Sequence, residues 1–212
     1  MQVGTKAFRE LVVSLPETDE ARCGLVECQT RAVLAGQVAA AWSKLRFDDA
    51  PDEVLMAALL SEMGELLLWH FAPELPQSAR DAMAAGEAVR TAEAQQMRCG
   101  FRFQDLTLKC IEDWKLPRLL VQLIRGHDNA RARLGRVATD AARHLMTGLD
   151  NPALLDDLAI AKQLLPQAIG MERVVEGLQV IPEELRQDLT ERAAVALERS
   201  TQQAQQTQQK ES

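Results

Sequence analysis

The sequence predicts an all-α fold, and three observations carry that expectation. Within residues 52–70 apolar side chains recur at helical spacing, Leu55, Leu59 and Leu66 forming one stripe with Val54, Ala58 and Met63 close beside it. Aromatics are only 4% of the chain and tyrosine is absent, whereas Ala, Leu, Gln, Glu and Arg abound, a balance that favours helix over strand. No alternating apolar–polar run rises above the helical ones, and no repeat of fixed period is visible. With 212 residues the chain is long enough to bury one full core. About eight or nine helices can be placed along it.

In order, residues 5–15 read as a short amphipathic helix (Phe8, Leu11, Val12, Leu15) stopped by Pro16. Residues 25–45 carry Val26, Val33, Leu34, Val38, Ala41, Trp42 and Leu45 on one face of a long helix. The helix over 52–70 opens with Pro51, Asp52 and Glu53, since proline suits the first helical position and carboxylates meet the positive end of the helix dipole. Pro73 and Pro76 break it, and His70 in its last turn complements the dipole. Residues 77–99 read as one weakly apolar helix ended by Gly100, followed by helices over 101–114 and 118–125 that Leu116-Pro117 separates. After the polar turn Gly126-His127-Asp128-Asn129 come helices over 130–147, 152–165, 171–178 and 182–200. Residues 201–212 (TQQAQQTQQKES) have nothing to bury and read as a disordered polar tail.

Composition narrows the function classes. A net charge of −7 gives the whole molecule no long-range attraction for nucleic acid or anionic membrane, and no aromatics interleave with the basic run to stack bases. No segment has the roughly 18 uninterrupted apolar residues of a membrane span, and the N-terminus has no signal-peptide pattern, so a cytoplasmic protein is expected. Cys23, Cys28, Cys99 and Cys110 do not form a metal-ligand spacing and read as buried, reduced thiols. There is no glycine-rich phosphate loop, no nucleophile elbow and no H-E-x-x-H helix. Two polar residues, Ser61 and Glu62, sit within the apolar run of 52–70, and buried polar groups need partners from other elements.

That stretch, LLSEMGELLL, resembles the LLHDIGxLLL helix of the HD superfamily of metal-dependent phosphohydrolases. Downstream, GFRFQDLTLKCIEDWKLPRLLVQLIRGHDN resembles the G-x-D-H…W-x-L-P…I-x-x-H-H segment of the HDOD domain, the regulatory branch of that superfamily; Trp114, Leu116 and Pro117 are its most specific piece. LGRVATDAARHL is similar to the family helix with an L-A-D or L-A-N core, here Ala138-Thr139-Asp140. The resemblance covers roughly residues 5–180 and implies an HD-like helical domain over 1–180, with a C-terminal helix over 181–200. HDOD domains usually begin with a helical subdomain bearing proline-rich and D-P-x-L motifs. This chain starts at what is similar to the later L-G-x-x-x-L-R-x-L helix (Val3-Gly4 to Leu11), as a fragment or a shortened member would.

In the HD superfamily a divalent metal is held by a His, a His-Asp pair and a further Asp, with an open position for activated water. Carried over, the first His falls near Thr30, the His-Asp pair on Ser61-Glu62 and the His of G-x-D-H on Phe103; only His127 keeps an imidazole, followed by Asp128. Thr, Ser and Phe cannot replace imidazole for a transition metal. The resemblance therefore implies a vestigial site with no metal, no cofactor and no catalysis, in which Ser61 and Glu62 hydrogen-bond to Thr30 or His127. Asp140 and His144, at i and i+4, could complete a different ligand set with His127-Asp128, against the plainer reading of a surface His paired with a helical acid. Arg125, Arg131, Arg133 and Arg136 gather around the 126–130 turn, either as a solvated face or as a patch for a phosphate or an acidic partner. The expected role is a non-catalytic signal-transduction module of a bacterial regulatory pathway acting on a protein partner. The alternatives are a divergent metal-dependent phosphohydrolase and a sensor of a nucleotide-like phosphorylated ligand.

Overall fold

The computed structural model describes residues 23–126 and 129–210. The helix expected over 5–15 and the pair His127-Asp128 lie outside the described residues. The all-α expectation holds: the described residues form eleven helices and no strands. The first are α1 (Cys23–Leu45), α2 (Pro51–Leu60), α3 (Met63–Phe71) and α4 (Glu74–Ala84). Then come α5 (Thr91–Cys99), α6 (Phe103–Trp114), α7 (Arg118–Arg125) and α8 (Ala130–Leu145). The chain continues with α9 (Pro152–Leu164), α10 (Met171–Glu176) and α11 (Glu183–Lys210).

The main core forms where α1 packs on α2 and α8, and α8 on α7 and α9. Val38, Ala39 and Trp42 of α1 are fully buried there, with Val54, Leu134 and Leu158 among their neighbours in the same cluster. Small residues let these helices approach. A Cβ on Gly36 would lie 3.2 Å from the Leu55 carbonyl oxygen, and one on Gly135 would lie 2.7 Å from Leu123. Asn129 and Asn151 cap α8 and α9, their side chains accepting hydrogen bonds from the Ala132 and Ala153 amides at 2.8 and 3.0 Å. At the far end the Trp42 indole donates to the Val174 carbonyl at 2.9 Å, satisfying a polar group inside the core.

A second, smaller core joins α3 to α6 through Leu68, Ala79, Ala82, Ala94 and Phe103, and a third contact sets Leu25 and Cys28 of α1 against Trp69. Gly24 is required there, since a Cβ would sit 2.1 Å from the Trp69 ring.

Three expectations are corrected. The helix over 52–70 is two helices, α2 and α3, bent by 40° at Ser61-Glu62. The helix over 77–99 is also two, because Gly86 takes φ +72° after α4 and α5 restarts at Thr91. These two divisions raise the helix count above the eight or nine expected. The last helix runs to Lys210 rather than ending at 200 in a disordered tail. Leu189 and Ala193 anchor its first half in the core, and Gln and Ala are good enough helix formers to propagate it from that nucleus. Beyond Ser200 the described side chains, those of 201, 202, 205 and 206, are exposed.

Candidate functional site

The break between α2 and α3 organises the site. The Ser61 hydroxyl donates back to the Ala58 carbonyl at 2.6 Å, a contact that competes with the helix ladder and bends it. Glu62 then sits at φ −87°, ψ 2°, in the sparsely used region between helix and strand. The backbone groups freed by the bend are met by one side chain of α6. Thr107 Oγ1 accepts from the Gly64 amide at 2.9 Å and lies 3.4 Å from the Ser61 carbonyl oxygen. Such an approach needs a glycine: a Cβ at position 64 would be 2.3 Å from the Phe103 carbonyl oxygen and 2.7 Å from Thr107 Oγ1.

The bend aims the Glu62 side chain into a cleft of about 660 Å³ walled by α1 and α3 to α8. Its carboxylate is buried and paired: Arg31 Nη2 of α1 donates to Glu62 Oε2 at 2.7 Å and to Glu65 Oε2 at 2.8 Å. The same nitrogen lies 3.6 Å from Cys28 Sγ. Burial works to lower the Arg31 pKa, but the two carboxylates outweigh it and raise it, so the guanidinium stays charged. Burial pushes the Cys28 thiol far above its ordinary range, and the Glu65 charge adds to that. Outside this knot the Trp69 indole donates to Glu65 Oε1 at 3.2 Å, and Arg80 lies 5.8 Å from the Trp69 ring centroid while pairing with Glu27 at 2.7 Å. On the opposite wall Arg143 of α8 donates to Asp140 at 3.0 Å and comes within 4.0 Å of Glu62.

The sequence-assigned positions divide. Ser61, Glu62 and Phe103 all line the cleft. Thr30 does not: it is exposed, and its hydroxyl donates to Val26 one turn back, so Glu62 finds Arg31 and not Thr30. His127 lies outside the described residues. The arginine patch is not one surface. Arg131 turns toward the connector ahead of α2, binding Asp48 at 2.8 Å, Glu53 at 3.0 Å and the Ala50 carbonyl at 3.0 Å. Arg125 is exposed, Arg133 and Arg136 flank Gly126, and only Arg136 of the four also lines the cleft. His144 Nδ1 pairs with Asp157 of α9 at 2.6 Å, and among the described residues His144 and Asp140 do not fall together in a group spaced to hold an ion. Burial pushes Asp157 up to about 6, with the His144 hydrogen bond and charge opposing that rise. Of the four cysteines Cys28 is buried, Cys99 and Cys110 are half-buried and Cys23 is exposed.

A family model described as HDOD domain matches residues 3–130, more than half of the chain. The chain belongs to the HDOD family. No curated protein and no solved structure matches it. The HDOD match covers every cleft-lining residue from Glu27 to Ile124, while the α8 wall with Asp140 and Arg143 lies beyond it.

The metal of the wider HD superfamily can be tested against these side chains. Cys28, Glu62 and Glu65 place ligating atoms within 4.8 Å of one another, a spacing an ion would accept. Arg31 Nη2 already contacts all three. The Ser61 hydroxyl donates to Ala58, and the Phe103 ring carries no donor atom for an ion. Among the described residues, the Cys28, Glu62 and Glu65 donors do not fit a catalytic divalent ion while the guanidinium is seated there.

Arg31, Glu65, Thr107 and Arg143 are cleft residues that the sequence reading did not select. One signal for Arg31 was available: a charged residue three positions after Cys28 and four before Ala35 falls on the apolar face of α1. Thr107 had none, because its partners lie 43 and 46 positions away.

Proposed function

We propose that this HDOD chain is a non-catalytic regulatory module of a cytoplasmic, bacterial signalling pathway that works by presenting its surface to a protein partner. The observation that carries the reading is the guanidinium of Arg31 on Glu62, the one carboxylate left at the superfamily's His-Asp position. Arg31 neutralises this carboxylate through Oε2, which weakens it as a ligand for a divalent ion, and without a bound ion no water is activated for phosphoester hydrolysis. Trp114, in the W-x-L-P segment, is 56% exposed and flanked by exposed Lys115, Pro117 and Arg118. Exposed Trp and Arg side by side supply the anchors on which protein interfaces concentrate their energy.

The test is metal analysis of the purified chain together with turnover of bis(4-nitrophenyl) phosphate in the presence of manganese, iron or cobalt. We expect no stoichiometric metal and no turnover above buffer. Stoichiometric metal with hydrolysis that Glu62→Ala abolishes would establish the divergent phosphohydrolase instead.

A second reading is favoured by the cleft itself. Its volume is within the range of small-molecule sites, and Arg136 lines it with no ion-pair partner among the described residues. A sensor of a phosphorylated ligand would engage Arg136 and Arg143 at the α8 wall, not the four-arginine turn. A thermal-shift series with nucleotides separates the two readings, because a ligand binding the native state alone raises the melting temperature.

A further inference from the structure

We infer that Arg31 is the resident cation of the cleft: its guanidinium occupies a latent divalent-cation position formed by Cys28, Glu62 and Glu65, and the native chain refuses metals because that position is filled. Two observations meet here. The ligating atoms of the three residues lie within 4.8 Å of one another, which is the spacing of donors around an ion. A single nitrogen, Arg31 Nη2, contacts all three, at 2.7 Å from Glu62, 2.8 Å from Glu65 and 3.6 Å from Cys28. One positively charged atom therefore stands where a metal with one thiolate and two carboxylate ligands would stand.

The electrostatics require some cation at this point. Glu62 and Glu65 are a turn apart on either side of the start of α3, both buried or nearly so, and two like charges that close repel strongly away from water. Arg31 neutralises one charge and shares the other, through the one nitrogen Nη2. The guanidinium also ties α1 to the bent start of α3, so it cross-links two helices as a structural ion would. Thiolate with carboxylate donors suits zinc or cobalt better than magnesium. Cys28 keeps its proton in the native chain; metal entry would release that proton to solvent.

The inference shares with the proposed function only the premise that the native cleft holds no ion, and the arms of the test keep the two apart. Cobalt(II) is titrated into the full native chain, Arg31→Ala, Arg31→Lys and the double variant Arg31→Ala/Glu62→Ala. Binding is followed by the near-ultraviolet charge-transfer band that marks a cysteine ligand. Arg31→Ala should bind cobalt at least about a hundredfold more tightly than the native chain, because a positive charge has left the site. The band should appear in that variant alone, and added guanidinium ion should compete it away. Arg31→Lys should behave as the native chain does. If Arg31→Ala does not fold by itself, cobalt, zinc or guanidinium ion should restore its circular-dichroism signal, and failure of all three to do so overturns the inference. So does a folded Arg31→Ala that binds no metal, or one whose binding survives loss of Glu62. Metal bound by the native chain through these residues would sink this inference and the proposed function together, whereas a metal-refusing Arg31→Ala leaves the proposed function standing.

Discussion

Replacing Gly64 by alanine should be the most damaging single-methyl change at the cleft. The added Cβ would lie 2.3 Å from the Phe103 carbonyl oxygen, 2.7 Å from Thr107 Oγ1 and 3.0 Å from the Thr107 amide. Two of these atoms belong to the backbone of α6, so no flexible side chain can swing away and the helices must separate. Overpacking of a tight contact costs about 1–3 kcal/mol, and with backbone in the way the upper end applies. Separation also stretches the 2.9 Å bond from the Gly64 amide to Thr107, a further loss of about 1 kcal/mol. Against this, alanine is a better helix former than glycine by about 1 kcal/mol. The net is a destabilisation of about 3 kcal/mol, or a fall in Tm of roughly 6–12 °C for a chain of this length. Urea and thermal unfolding of Gly64→Ala measure it. Gly170→Ala is the control, because a Cβ there meets nothing within 4 Å and φ is −72°. If Gly64→Ala unfolds within 0.5 kcal/mol of the native chain (about the scatter expected of an innocuous surface change), the account of the α3–α6 contact is refuted.

Three further outcomes are expected. Glu62→Gln should cost about 1–3 kcal/mol, since Arg31 keeps Glu65 as its one charged partner; with Arg31→Met in a double-mutant cycle the losses should fall well short of additive, and strict additivity would mean the pair is not coupled. Asp157 holds its proton up to about pH 6 in the fold against an ordinary value of 3.8, so the native state binds more protons than the unfolded chain between those values. Its contribution to stability is then full below the lower value and is lost as pH rises through the higher one, so Asp157→Asn should flatten the fall in stability across that window; an unchanged slope would assign the effect to another group. Arg131→Ala should lower stability by about 1 kcal/mol through loss of Asp48, Glu53 and the Ala50 carbonyl, whereas Arg136→Ala should leave Tm within about 1 °C; the reverse order would restore the idea of a single arginine patch.

Helical periodicity, proline and asparagine caps and a few family motifs were enough to read an all-α HDOD chain, with α1, α7, α9 and α10 placed close to their observed bounds. These are local properties: the spacing of apolar residues over one or two turns and the chemistry of the helix start are written in adjacent positions. Ser61, Glu62 and Phe103 were legible as cleft residues for the same reason, because each sits inside a recognisable segment. What locality could not show is which groups those residues meet. The bend at Ser61-Glu62 does not show in the apolar spacing on either side of it, and the backbone groups that it frees are taken up by a threonine 43 positions after Gly64. Glu62 was expected to meet Thr30 or His127, but folding brought Arg31 to it across 31 positions, and Arg131 looked like part of a basic patch until folding turned it toward Asp48. Charge pairing inside a fold depends on distances through space that residue order does not encode, and at 3 Å in a half-dry cleft those distances decide whether a carboxylate faces a metal or a guanidinium.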